Sequence, residues 1–563
     1  MGKRVKRREI VSLCMIVKNE ERYLPDCLAN AGPFVDEIVV VDTGSTDRTV
    51  EIATAAGARV FREEWRDDFA AARNQSLRRA VGDWILVLDA DERLVGNSGP
   101  LMRDLVEVPD VAAYLVKLQC PTHGGSALGT IPLRWLPRLF RSRIGARYEG
   151  VIHECLLPSL RGKGKIIYSE MTLEHLGYLQ THEVMQAKAM RNLRLLEDQV
   201  SRTPEDSLTW IQLAETHMTL SQQDQAIASY RRALALFDCE RTRGQQTIGD
   251  ATAALACQQL GVLHLLQEAP DEAIAALRQA IALWPALASA YLYLGQAYDH
   301  KQEPETALEQ FRKAVEFAHR PEQPGHPVRL VPWAPWLLMG TVQYKLQQYE
   351  AARNSVCQAI RVNADFPGTH TLLGVIHLAM GRPDAALEAF ETAHRLGDTT
   401  PSLFVNIGAA HNQLGDSEKA MQAFREALAG EPELQNARLG LCQAYAQLGR
   451  WSELVEEGHT LLQQGVVEPA LYRLIGKALW SLEAWTAAVP VYEALCALAN
   501  PTPSDWSGLA IAALGAGEPL KALQTAEHAL GLNPPTELQS LLQAVVVEAR
   551  EALRQDLVCV YRP

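Results

Sequence analysis

Apolar residues follow two different rhythms along this chain. In the first part, short unbroken apolar runs alternate with amphipathic stretches. "IVSLCMIV" (10–17), "VDEIVVVD" (35–42), "ARVFREEW" (58–65) and "DWILVLDAD" (83–91) read as strands. Between them, "EERYLPDCLANAG" reads as a helix closed by Gly32. "STDRTVEIATAAG" reads as a helix capped by Ser45 or Thr46 and stopped by Gly57, and "DFAAARNQSLRRAVG" as a third, capped by Asp67 or Asp68. Strict alternation of strand and helix predicts a parallel sheet covered on both faces. Such sheets take ligands beyond the carboxyl ends of their strands, where the strand order reverses. At that edge the pattern puts Asp42 and the cluster Asp89, Asp91 and Glu92.

From about residue 204 the rhythm becomes helix after helix, with a period. Small residues recur at Ala214, Gly261, Gly295, Gly340, Gly374, Gly408, Cys442, Gly476 and Ala510, and every step from Gly340 onward is 34 residues. A second small series, from Ala226 to Ala522, runs twelve residues later and is broken once, at Leu454. Two longer steps coincide with "CERTRGQQTIGD" and "RPEQPGHPVRLVP", which read as loop insertions. Segments such as "IGAAHNQLGDSEKAMQAFREALAGEP" resemble tetratricopeptide repeats, about nine of them over 204–550. Residues 181–203 read as a helical linker and 551–563 as a tail. A helix pair of this length cannot bury its own apolar face, so neighbours must stack into an all-α superhelix. Its concave side is suited to an extended peptide or protein segment; the plainer use is a scaffold or homodimer surface.

Charge sharpens this division. The net charge is −13, but residues 1–200 carry 28 Lys and Arg against 27 Asp and Glu, whereas the remainder carries 26 against 40. An acidic second part argues against nucleic acid, whose phosphates need basic faces. No apolar run approaches the roughly 20 residues of a transmembrane helix. The basic start leads into a short run interrupted by Ser12, which reads as the first strand rather than a signal peptide, so a cytoplasmic protein is expected. Ten scattered cysteines form no C-x-x-C pair, and most are expected as reduced core residues.

Two carboxylates two residues apart at the mouth of a buried strand, Asp89 and Asp91, can share a hard divalent cation that keeps positions open for phosphate oxygens. A cation there would neutralise a departing diphosphate. The plainer alternative is a solvated acidic turn.

The motifs "VSLCMIVKNEE", "DEIVVVDTGSTDRT", "DDFAAARNQSL", "GDWILVLDADE" and "RLFRSRIGARYEGVIHE", closed by "HLGY", together resemble a family-2 glycosyltransferase. The resemblance covers 9 to about 200. It implies an α/β GT-A (Rossmann-like) domain over 1–180, and similarity to bacterial enzymes that glycosylate peptides or proteins. It further implies a nucleotide diphosphate sugar as donor, a UDP-sugar in the first place, with Mg²⁺ or Mn²⁺. Carried over by motif, Asp42 and Thr43 contact the nucleotide, Arg73 and Asn74 line its pocket, and Asp89 faces ribose or metal. Asp91 is the principal metal ligand and His153 a third. For an inverting transfer the base is Glu154 or its rival Glu92. The chain lacks the "ED" dipeptide that many family-2 enzymes use there. Ser45 is read as helix capping. "CPTHGGSALGTIPLRW" is either a lid over the donor or an ordinary loop. Of Arg134, Arg138, Arg141, Arg143 and Arg147, one or two are expected at the diphosphate and the rest in solvent.

Three functions compete on these grounds. The first is an inverting transferase whose repeats present a peptide or protein. The second is the same domain acting on an envelope glycan or lipid-linked acceptor. The third is a non-enzymatic scaffold with a decayed transferase domain, against which the intact acidic and nucleotide motifs count.

Overall fold

A computed structural model describes residues 8–119, 130–152, 154–176, 182–244, 248–319 and 328–560. The chain divides into two compact units, Met1–Val342 and Gln343–Pro563. The units therefore do not part where the composition changes; the first helical repeats belong with the sheet.

In the first unit, β1 (Val11–Val17) is followed by α1 (Leu24–Ala31), β2 (Glu37–Asp42), α2 (Thr49–Ala55), β3 (Arg59–Arg62), α3 (Phe69–Arg79) and β4 (Trp84–Val87). The four strands pair in parallel, in the order β3-β2-β1-β4. Leu13, Cys14, Val39, Val40, Ile85 and Leu86 are all buried, as strands covered on both faces require. The reversal of strand order falls at β1, so Asp42 and Asp89 end or follow its two neighbours. Asp68 caps α3, accepting from Ala71 N at 2.8 Å. Helix α2 starts later than its sequence suggests, and neither Ser45 nor Thr46 caps it. Ser45 Oγ instead accepts from Asn19 N at 2.9 Å, stitching the loops after β1 and β2 together.

The run "DWILVLDAD" is not a single strand. β4 ends at Val87, the chain turns through Leu88–Asp91, and β5 (Glu92–Leu94) reappears at the far edge of the sheet. Beyond it come α4 (Ser98–Leu105), β6 (Val111–Gln119), β7 (Thr130–Arg141), α5 (Leu157–Leu160) and β8 (Lys165–His175). These extend the sheet as β4-β7-β6-β8-β5, with β7 antiparallel to β4 and β5 antiparallel to β8. In that last pairing Glu92 lies opposite His175.

Helix α6 (His182–Arg202) covers most of the expected linker, but it is packed rather than free. Leu193, Leu195 and Leu196 are buried in one cluster with Ile152 of the sheet domain and Leu213 of the first repeat. The insertion "RPEQPGHPVRLVP", expected as a loop, contributes β9 (Val328–Leu330). This strand pairs antiparallel with β7, setting Leu330 opposite Thr130. A repeat insertion thus adds a strand to the sheet of the first domain.

The small residues of the 34-residue series work by close approach. A Cβ at Gly261 would meet Leu277 at 2.6 Å, one at Gly408 would meet Phe424 at 2.7 Å, and one at Gly476 would meet Tyr492 at 2.7 Å. In each case the large partner lies sixteen residues later, on the second helix of the same pair. The last helix, Thr536–Val560, runs past residue 550. No helix among the described residues is long and apolar enough to cross a membrane. Of the described cysteines all are free, and Cys14, Cys27, Cys257, Cys442 and Cys496 are buried.

Candidate active site

The turn between β4 and β5 is held on all sides. Asp89 N donates to Glu92 Oε2 at 3.0 Å, Arg93 Nη1 donates to Ala90 O at 2.7 Å, and Leu176 N donates to Asp91 O at 2.8 Å. Bonds within the turn and one from the residue after β8 therefore fix the two carboxylates in space.

Asp89 faces two guanidinium groups. Its Oδ1 accepts from Arg73 Nη2 at 2.7 Å and its Oδ2 from Arg138 Nη2 at 3.0 Å. Arg73 continues through Nε to Glu154, and Arg138 reaches Glu92 Oε1 at 2.5 Å. The result is a buried chain of alternating charges, Glu154–Arg73–Asp89–Arg138–Glu92. Burial opposes ionisation of Asp89, but the two arginines outweigh it and hold its carboxyl well below the usual carboxylate range. Burial dominates at Glu92, whose pKa is pushed up to about 7 despite Arg138. Tyr148 lies under Arg73, the guanidinium carbon 5.5 Å from the ring centroid, and burial raises its phenol to about 12.

Each residue singled out in the sequence now has a location. Asp42 is 2% exposed and accepts from Ser45 N at 3.0 Å, closing the turn after β2. Thr43 donates its hydroxyl to Val17 O at 3.2 Å, tying the ends of β1 and β2. Arg73, expected in the nucleotide pocket, is spent on Asp89 and Glu154. Asn74, expected beside it, clamps the Tyr148 backbone at both ends of its amide, at 2.9 and 2.8 Å. It therefore positions the segment that carries Glu154. Both oxygens of Asp89 accept from an arginine, one bond each. Asp91 lies 3.3 Å from His175 Nε2 through its Oδ2. His153 lies outside the described residues, as do 120–129 of the candidate lid and Gly177 and Tyr178 of "HLGY". Among the described residues no three His, Cys, Asp or Glu side chains form a metal-sized cluster.

Of the arginine stretch, Arg138 enters the site, Arg141 lies 4.6 Å over the Trp84 ring, and Arg147 pairs with Glu149 at the surface. The sequence reading assigned no role to His175, although it opens the motif "HLGY". It missed Glu20 of "KNEE" as well, whose carboxyl burial and then Asp91 push up to about 7. The two base candidates differ in access. The Glu92 side chain is 1% exposed with both oxygens engaged, whereas that of Glu154 is 11% exposed and, among the described residues, commits only Oε1, to Arg73.

Above this floor opens a cavity of about 450 Å³. Arg73, Asp89, Glu92, Arg138, Glu154 and His175 line it on one side, and Phe69, Leu118, Trp135, Ile152, Cys155 and Leu156 on another. Arg191 and Asn192 of α6 complete the wall.

Residues 12–144 match the model of glycosyl transferase family 2. Residues 208–237 match a tetratricopeptide repeat model, and residues 236–465 that of the cilia and flagella-associated protein 70 C-terminal domain. The chain carries a family-2 glycosyltransferase domain followed by tetratricopeptide repeats. It is 40% identical over 204 residues to a TPR repeat-containing protein of Synechococcus elongatus, covering 35% of this chain and 49% of that one. It is 25% identical over 229 residues to the prophage-derived glycosyltransferase SunS of Bacillus subtilis, covering 38% and 51%. An uncharacterized glycosyltransferase of Rickettsia typhi is 37% identical over 84 residues, covering 15% and 28%. The chain spans about half the length, or less, of these relatives. In the transferase domain, the charged chain and the cavity lie beyond the carboxyl end of β4, on one flank of the strand-order switch where this sheet class takes ligands.

Proposed function

We propose that the domain is an inverting transferase that moves a sugar from a nucleotide diphosphate sugar, a UDP-sugar in the first place, to a peptide or protein. The observation that carries this reading is the cavity, which joins the Asp89–His175 side of the floor to Glu154, the accessible carboxylate. Asp42 and Thr43 form the turn on the nucleotide side. The acceptor nucleophile attacks the anomeric carbon and gives its proton to Glu154 Oε2. The bond from that carbon to the diphosphate oxygen breaks, and the nucleoside diphosphate leaves with the electron pair. Arg73 holds Glu154 in position through Oε1 and leaves Oε2 toward the acceptor.

Asp91 and His175 are the residues that would hold Mg²⁺ or Mn²⁺, one carboxylate and one imidazole, leaving positions for diphosphate oxygens. Bound there, the cation would supply charge neutralisation to the leaving group. Support for a peptide acceptor comes from the second unit. There a groove of about 450 Å³ is lined by Asn412, Gln413, Asn436 and Gln443 beside Val405 and Leu439. Amides both donate and accept, which is the complement of a peptide backbone.

The test is nucleotide release from a panel of UDP- and GDP-sugars with Mn²⁺ or Mg²⁺, for wild type, Asp91→Asn and Glu154→Gln. Release from one donor, lost in Asp91→Asn and slowed by about 10²–10⁴ in Glu154→Gln, is expected. Release that proceeds unaltered in both variants would remove these carboxylates from the mechanism. A chain that neither releases nor binds any nucleotide would be a scaffold instead.

A further inference from the structure

A nucleotide diphosphate brings two or more negative charges into this cavity, and its floor is poorly prepared for them. Arg73 and Arg138 each already face two carboxylates and are buried. Asp91 adds a further carboxylate on the same side. A side chain that meets the phosphates, beside the metal cation proposed above, has to be an accessible cation without a carboxylate partner.

Helix α6 supplies one. Arg191 lines the cavity from an exposed position. Its guanidinium carbon lies 5.1 Å from the Phe69 ring centroid, and it donates to Asn192 Oδ1 at 3.1 Å through Nη2 and 3.4 Å through Nε. Among the described residues no carboxylate comes within ion-pair distance of it, and Asp67 acts on its charge only from farther away. Arg194, on the same helix, is different: it pairs with Asp67 at 3.2 Å and does not line the cavity. Lys188, one turn before Arg191, is close enough to Glu20 to act on its charge, so the cationic face of α6 extends toward the acidic turn. The helix is not a loose strap, because Leu193, Leu195 and Leu196 are buried against Ile152 and Leu213.

The geometry points to Arg191 as a phosphate-holding residue of the donor site, supplied by the helix that leads into the repeats. This assignment rests on the nucleotide-sugar reading above. It makes the catalytic site incomplete without α6, although the family match ends at residue 144. The same packing that seats the first repeat thereby positions a substrate contact.

The experiment is calorimetry on the full chain with Mn²⁺, titrating UDP against uridine and GDP against guanosine. Arg191→Gln is expected to weaken the diphosphate that wild type binds by about tenfold or more, the worth of a charge-assisted contact, and to leave the nucleoside unchanged. Arg191→Lys should retain part of the affinity. Arg194→Gln, which removes a cation from the same helix outside the cavity, should match wild type. Unaltered UDP and GDP binding by a folded Arg191→Gln overturns this assignment alone. Wild type that binds no nucleoside diphosphate overturns the donor reading and this assignment together.

Discussion

The transferase floor and the repeat pairs solve the same problem, close packing of a buried interface, by opposite means. In the floor, five charged side chains from α3, the turn after β4, β5, β7 and the segment after Tyr148 neutralise one another in sequence, and the three between the terminal glutamates each face two opposite charges. In the repeats, a glycine on one helix receives a ring or a branched chain from the next, with no charge involved. The first arrangement is specific but brittle, since removing one member leaves its partners buried and unpaired. The second is tolerant, because a volume lost on one side can be returned on the other. A carboxylate kept ionised out of water must be paired, and the first arrangement provides that. A stack of similar modules needs only the second.

The sharpest way to break this comparison is the same substitution in both regions. Arg73→Met leaves Asp89 and Glu154 without their shared partner in a site where the arginine is 9% exposed. It should cost about 3–5 kcal/mol by denaturant unfolding. Arg473→Met in the repeats removes a pair with Asp505 whose arginine is 47% exposed. There Asp505 keeps its capping bonds to Thr502, so a loss of about 1 kcal/mol or less is expected. Equal costs would show that the floor is no more brittle than the array.

A smaller effect sharpens the other half. Gly408→Ala forces its methyl toward Phe424 and should cost about 1–3 kcal/mol. Adding Phe424→Leu should cost less in that background than alone, giving a coupling of about 0.5–3 kcal/mol in a double-mutant cycle. Strict additivity would mean that the two positions do not share one space.

The smallest expected effect concerns pH. His264, His377 and His411 stand three residues after Gly261, Gly374 and Gly408, each with Nδ1 buried and unpartnered among the described residues. Burial lowers the pKa of all three. Arg231 and Glu272 act on the first, Arg382, Arg353, Glu350 and Glu388 on the second, and Asp416, Lys419 and Glu391 on the third. Above the ordinary histidine pKa of about 6.5, folded and unfolded chains are both neutral there and nothing is lost. As pH falls through that value, the unfolded chain binds protons first and stability declines, until the lower folded pKa is passed. Melting curves between about pH 8 and 5 should show this decline, and replacing the three by Leu should flatten it. An unchanged slope would assign the decline to other groups.

How far the site could be read in advance depended on distance along the chain. The strands β1 to β4, Asp42 and Asp89 at their ends, Asp68 as a cap and the 34-residue period all follow from local hydrophobic spacing and short-range hydrogen bonding. Those effects are complete within a few residues. So is the small-to-large fit of the repeats, because its two partners lie on consecutive helices. The sequence alone therefore determined the class of each domain and the sheet edge at which Asp42 and Asp89 lie. Only the tertiary structure decided which groups meet there. It brought His175 beside Asp91 through the β5–β8 register, turned Asn74 onto the Tyr148 backbone, and set both oxygens of Asp89 on arginines. It also made the expected linker a wall of the cavity and the repeat insertion a strand of the sheet. Each of these outcomes depends on burial and strand pairing between distant segments, where the energy of a charge is set by neighbours that local pattern does not specify.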